Sequence, residues 1–174
     1  MSDTLITVVA IGLAAVLMFV FPLMTMADRT DDVSQLAIKT ATTEFVDKAR
    51  TTGKITQANY DSFIQTITST GNTYDVELEV EVKDTNLGKK TSIAQANKIG
   101  ENASYTVYTS QIEEEMRKNN GVYYCKEGDI ISARVKNTNK TISQQLKNFF
   151  YTVTGNDTYT VAANHAGIVT SNGK

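Results

Sequence analysis

From Thr4 to Ala27 the chain carries no charged side chain, and no other feature restricts its fold so much. As a helix rising about 1.5 Å per residue, Leu5 to Ala27 covers about 34 Å, enough for a bilayer core of about 30 Å. A cleaved signal peptide and a buried core helix are the alternatives. A signal peptide wants Lys or Arg ahead of a shorter apolar run and a small-x-small site behind it. Here Met1-Ser2-Asp3 is acidic, and Met24-Thr25-Met26-Ala27 makes a poor cleavage site. A retained membrane helix is therefore expected. Pro22, the only proline, removes a backbone donor and should kink or loosen that helix near Met18. Gly12, Ala14 and Ala15 offer small residues for close helix approach.

Of the 17 basic and 19 acidic side chains, only Asp3 falls within the first 27 residues. The remainder is a polar domain. A net charge of −2 and a pI near 5.4 argue against nucleic acid as a partner. One Cys excludes an intramolecular disulfide, and one His with one Cys leaves no His/Cys metal cluster. Arg29, Lys39, Lys48 and Arg50 follow the apolar run, which by the positive-inside rule would hold the domain in the cytoplasm. The abundance of Thr and Asn points the other way, and the head is expected outside.

Past the apolar run, Val33, Leu36, Ala37, Ala41, Phe45 and Ala49 recur at three- and four-residue steps among polar residues. No Gly or Pro interrupts the chain between Pro22 and Gly53. One helix from about residue 3 to 51 is expected, with this stripe laid on the domain. The chain thus divides into a transmembrane and assembly helix (1–27), an amphipathic extension (28–53) and a globular α+β head (54–174). The head should combine a small antiparallel or mixed sheet with two to three packed helices.

Thr56 can cap a second helix, with Tyr60, Phe63, Ile64 and Ile67 on its inner face. Tyr74 to Val82 then alternates without a break, its apolar side chains opposite Asp75, Glu77, Glu79 and Glu81. A row of acids on a strand does not converge on a metal. Arg134 and Lys136 share one face of another alternating stretch and are the expected ion-pair partners of Glu79 and Glu81. Ser110-Gln111-Ile112-Glu113 and Thr141-Ile142-Ser143-Gln144 read as capping boxes. The second opens a helix with a stripe of Ile142, Leu146, Phe149, Phe150 and Val153. Val122–Cys125 and the stretch after Gly128-Asp129 read as a hairpin, and Asn164–Gly167 as a turn between short strands at 158–163 and 168–169. Residues 84–90 read as a basic loop.

Cys125 fits a small buried hydrophobe and His165 a surface or capping residue. No nucleophile elbow, phosphate-binding loop, zinc-protease or EF-hand motif is present. Neither an enzyme nor a cofactor is expected.

A charge-free N-terminal helix, Pro22, an amphipathic continuation and a small α+β head resemble the type IV filament superfamily, the pilins and pilin-like proteins. The acidic strand after two helices, the Gly128-Asp129-led strand and the terminal Ala-Gly-Ile-Val-Thr are similar to the tight-adherence (Tad) pilin-like proteins. Members usually carry a basic leader with a processing glycine, and a glutamate near the start of the mature helix that neutralises a neighbour's amino terminus. Set beside that pattern, Asp3 leaves two expectations: either the family's processing is absent, or Asp3 takes part of the glutamate's role. The resemblance also implies a surface filament whose helical core is built from copies of the chain, with secretion or assembly machinery as a further partner and adhesion by the head. The alternative is a single-pass membrane protein that does not polymerise, whose head binds another protein or the envelope.

Overall fold

The computed structural model describes residues 2–83, 104–151 and 161–173. The fold is α+β. A single helix, α1 (Ser2–Thr52), leads into β1 (Lys54–Thr56) and α2 (Gln57–Thr68). Then follow β2 (Tyr74–Lys83), β3 (Ser104–Tyr108), α3 (Thr109–Lys118), β4 (Val122–Tyr124), β5 (Ile130–Asn137), α4 (Ile142–Tyr151) and β6 (Ala162–Ile168). Four strands form an antiparallel sheet in the order β3-β2-β5-β6, and β1 pairs with β4 in a second, two-stranded sheet.

α1 runs without a break through Pro22. Threonine is a poor helix former, yet α1 holds many. Their hydroxyls donate to carbonyls one turn back, as Thr7 does to Asp3 at 2.7 Å and Thr25 to Phe21 at 3.1 Å. Within the apolar run these bonds hide both polar groups from the helix surroundings.

The core lies between the second half of α1 and the inner face of the large sheet. Ile38, Val46, Leu78, Val80, Ile131, Ala133 and Val135 are fully buried there. α2 closes one side, with Phe63 stacked on Phe45 at 4.7 Å between ring centroids. Thr56 caps α2 by accepting the Asn59 N–H at 3.2 Å. Ile112 and Met116 of α3 are fully buried.

The structure corrects several sequence expectations. The inward stripe of α1 is Ala27, Asp31, Ser34, Ile38, Ala41, Phe45 and Ala49, whereas Val33 and Leu36 are 68% and 66% exposed. The buried stripe includes Asp31 because it has a polar partner in Thr141 at the start of α4, so apolar periodicity alone selects the wrong turn. β4 forms no hairpin with β5. It pairs with β1, Ile55 opposite Tyr123, and the ladder runs on through the Cys125 N–H to the Gly53 carbonyl at 2.8 Å. Residues 164–167 are no turn but lie inside β6, against β5. α3 starts one residue before Ser110, and Gln111 accepts the Tyr108 N–H at 3.0 Å. The Thr109 hydroxyl accepts the Leu78 N–H at 2.7 Å, extending the β2–β3 ladder by a side chain where the backbone has turned helical. The box at Thr141 and Gln144 is present in both directions, at 3.1 and 3.2 Å. Ile142, placed in the inner stripe of α4, is 71% exposed instead. The expected loop at 84–90, and the part of the expected strand at 158–160, lie outside the described residues.

Candidate functional site

Two surfaces carry the candidate residues: the first half of α1 and the outer face of the sheet. The first half of α1 is long and apolar enough to cross a membrane, and no part of its apolar window is buried. Leu5, Ile6, Val8, Ile11, Met18, Phe19 and Met26 are each more than 60% exposed. An exposed apolar surface of this extent is of the kind that lipid or other helices cover.

Its candidate residues do not all share one face. Ala15 and Pro22, seven residues apart, lie on a stripe that passes through Arg29 to Val33 and Leu36, whereas Gly12 is turned about 120° from Leu36 around a helix of 3.6 residues per turn. That stripe lies opposite the buried one. Asp3 and Ala14, three turns apart, lie on its flank. A Cβ added at Gly12 would meet nothing within 4 Å, so close packing inside the head does not explain this glycine. Val33 borders a shallow cleft with Arg29, Thr30, Ser34 and Thr70. Sequence periodicity assigns Val33 and Leu36 to the head core; their exposure places them outside it.

On the sheet, the expected pairing shifts along the strand. Arg134 lies opposite Glu77 and donates to its carboxylate at 3.1 Å; Lys136 lies opposite Asp75. Glu79 faces Ser132 on one side and Tyr108 on the other. Glu81 faces Ile130 and accepts a hydrogen bond from the Ser104 hydroxyl. Register, fixed by burying Leu78, Val80 and Val82 on the other face, decides these partners. Both members of the Arg134–Glu77 pair are 54% exposed. Reversing the charge in Arg134→Glu should therefore cost about 0.5–1 kcal/mol, less in high salt, by denaturant titration. Among the described residues, no three His, Cys, Asp or Glu side chains are placed to hold a metal ion.

Cys125 is 3% exposed, and burial, with Asp129 and Glu115 nearby, pushes its thiol up to about 12. It is therefore a thiol at neutral pH and a poor nucleophile. His165 lies in β6 facing α1, its Nε2 3.8 Å from an Asp47 carboxylate oxygen that Arg50 already contacts at 2.6 Å. Next along that face, Gly167 admits the Arg50 stem: a Cβ there would sit 2.6 Å from Arg50 Cδ. Asp129 is buried and accepts the N–H groups of Lys126 at 2.8 Å and Lys83 at 3.2 Å, tying the start of β5 to the end of β2.

At the end of the apolar run, two aspartates hold α4. The Thr141 hydroxyl donates to the buried Asp31 at 2.7 Å, and the Ser143 hydroxyl donates to Asp28. Both carboxylates thereby sit at the N-terminus of α4, where the helix dipole favours negative charge. In the sequence these acids read only as a charged boundary.

Comparisons with protein-family models, curated proteins and solved structures find no match.

Proposed function

We propose that the chain is a pilin-like subunit of a type IV-like surface filament. The first half of α1 anchors it in the membrane before assembly and packs with copies of itself in the filament core. The head is carried outside, free for adhesion or interaction. One observation carries this reading. Past the charged turn that holds exposed Arg29 and Asp32, α1 again exposes apolar side chains, Val33 and Leu36, on the side away from the head. A plain anchor needs no apolar seam beyond the bilayer. A helix that packs against identical helices does.

The energetics are consistent with this reading. A helix apolar on every face leaves lipid only if similar surface replaces the lipid. Identical helices related by a heterologous, non-closing operation provide that surface without limit. Asp3 would then lie among apolar helices, where a charge is costly unless paired. A neighbouring subunit's amino terminus is the partner that the resemblance implies, and the membrane, copies of the chain and assembly machinery are its partners overall.

Two outcomes test the reading. Carbonate extraction should leave the native protein in the membrane pellet; recovery in the soluble fraction would remove the anchor. Asp3→Asn and Gly12→Leu should both accumulate normally in the membrane and yield no surface filaments. Leu inserts at least as well as Gly, so Gly12→Leu separates packing from insertion. Filaments at wild-type abundance in both variants would overturn the proposal.

A further inference from the structure

The first turn of α4 holds Ile142 in the open, 71% exposed, while its neighbours on both sides are fixed. Thr141 is bonded to Asp31 at 2.7 Å and Ser143 to Asp28. Both acids lie on α1 within four residues of Ala27, or about 6 Å along the axis past the charge-free run. These bonds set the depth of Ile142, level with the first turn of α1 beyond that run. Lys140, just ahead of the cap, is exposed, and Arg29 is exposed on α1 in the same layer. An apolar side chain beside Lys140 at this depth, with Arg29 at the same depth on another side of α1, matches an interfacial membrane contact, with the aliphatic group at the acyl boundary and the cations at the phosphates.

We propose that the Ile142 turn of α4 is a second membrane contact, seated in the headgroup boundary of an anionic bilayer and holding the head against the surface. The cap bonds to Asp28 and Asp31 transmit that seating to α1. The proposal rests on the reading that α1 spans the bilayer and is independent of whether α1 assembles into filaments.

The chain contains no Trp, so a single introduced indole reports its own position. The full chain is reconstituted into vesicles of phosphatidylcholine and phosphatidylglycerol, with and without lipid brominated near the top of its acyl chains. Ile142→Trp is compared with Phe19→Trp inside the apolar run and Thr51→Trp at the far end of α1. The expected result is blue-shifted Ile142→Trp emission, strongly quenched by the brominated lipid, with Thr51→Trp unquenched. Omitting phosphatidylglycerol or adding salt should weaken the Ile142→Trp quenching. Quenching of Phe19→Trp with none at Ile142→Trp overturns this proposal alone. No quenching at Phe19→Trp removes the membrane reading beneath it. Ile142→Trp quenching that ignores lipid charge and salt overturns the role of Lys140 and Arg29. If the indole disturbs the fold, a nitroxide on Ile142→Cys reads the same depth from its collisions with oxygen and a nickel chelate, the buried Cys125 remaining unlabelled. A nitroxide more open to the chelate than to oxygen overturns the proposal.

Discussion

Gly53→Ala is expected to destabilise the head by about 2–5 kcal/mol. Gly53 follows the last turn of α1 with φ +67°, where an L side chain costs about 1–2 kcal/mol. An added Cβ would also sit 2.1 Å from the Ser171 carbonyl oxygen and 2.5 Å from the Gly173 nitrogen. Those are backbone atoms, so the terminal segment would have to move as a whole. It is tied in place by the Gly173 N–H to the Cys125 carbonyl at 3.2 Å and by the Glu127 N–H to the Asn172 side chain at 2.8 Å. Denaturant titration of the detergent-solubilised chain should show a lower midpoint with an unchanged slope. Gly71→Ala is the control. Gly71 has φ +83° but nothing within 4 Å of an added Cβ, so only the strain of about 1–2 kcal/mol applies. Equal losses at the two sites would mean that the terminal segment does not constrain Gly53.

The second large effect is on assembly rather than folding. The double variant Val33→Asp/Leu36→Asp should leave the head as stable as wild type, because both side chains are already in solvent. Surface changes of this kind usually stay within about 0.5 kcal/mol. In a filament the same positions would face neighbouring helices, and two unpaired carboxylates per subunit would enter an apolar seam. Each carries a desolvation cost of several kcal/mol, enough to suppress assembly by orders of magnitude. The measurement is surface filament abundance against membrane-bound protein, with the melting temperature as the folding control. Loss of filaments with a large fall in melting temperature would instead place Val33 and Leu36 in the head core.

The elements that were legible in the sequence are those whose own periodicity is long enough to read. α1 has many turns and only Pro22 to disturb it, and β2 alternates over its whole length because one face is turned to the core and the other is wet. The cap at Thr56 and the box at Thr141 are local, so their few residues suffice. What sequence did not disclose depends on distant partners. β1 is three residues long and exists because β4 pairs with it. Asn164–Gly167 has the composition of a turn, yet it pairs with β5, and Gly167 leaves room for the Arg50 stem on α1. Arg134 has several acids within sequence reach, and only the register selects Glu77. The largest misreading is also the most informative. Val33 and Leu36 have the hydrophobicity of core residues, but the head buries Asp31 and Ser34 instead, with Asp31 bonded to α4. The sequence pattern records apolar surface without recording which partner covers it. Of the candidate assembly residues, Ala15 and Pro22 gain a common face with Val33 and Leu36 from the helix, while Gly12 lies to one side of it and Asp3 and Ala14 to the other.

Self-association through α1 is read out by negative-stain microscopy of sheared cell-surface material, with antibody against the head. Thin, uniform rods decorated along their length are expected, and none when Val33→Asp/Leu36→Asp replaces the wild type. Surface material without decorated rods, together with a detergent extract in which the chain forms a monodisperse complex with a different protein, would contradict it.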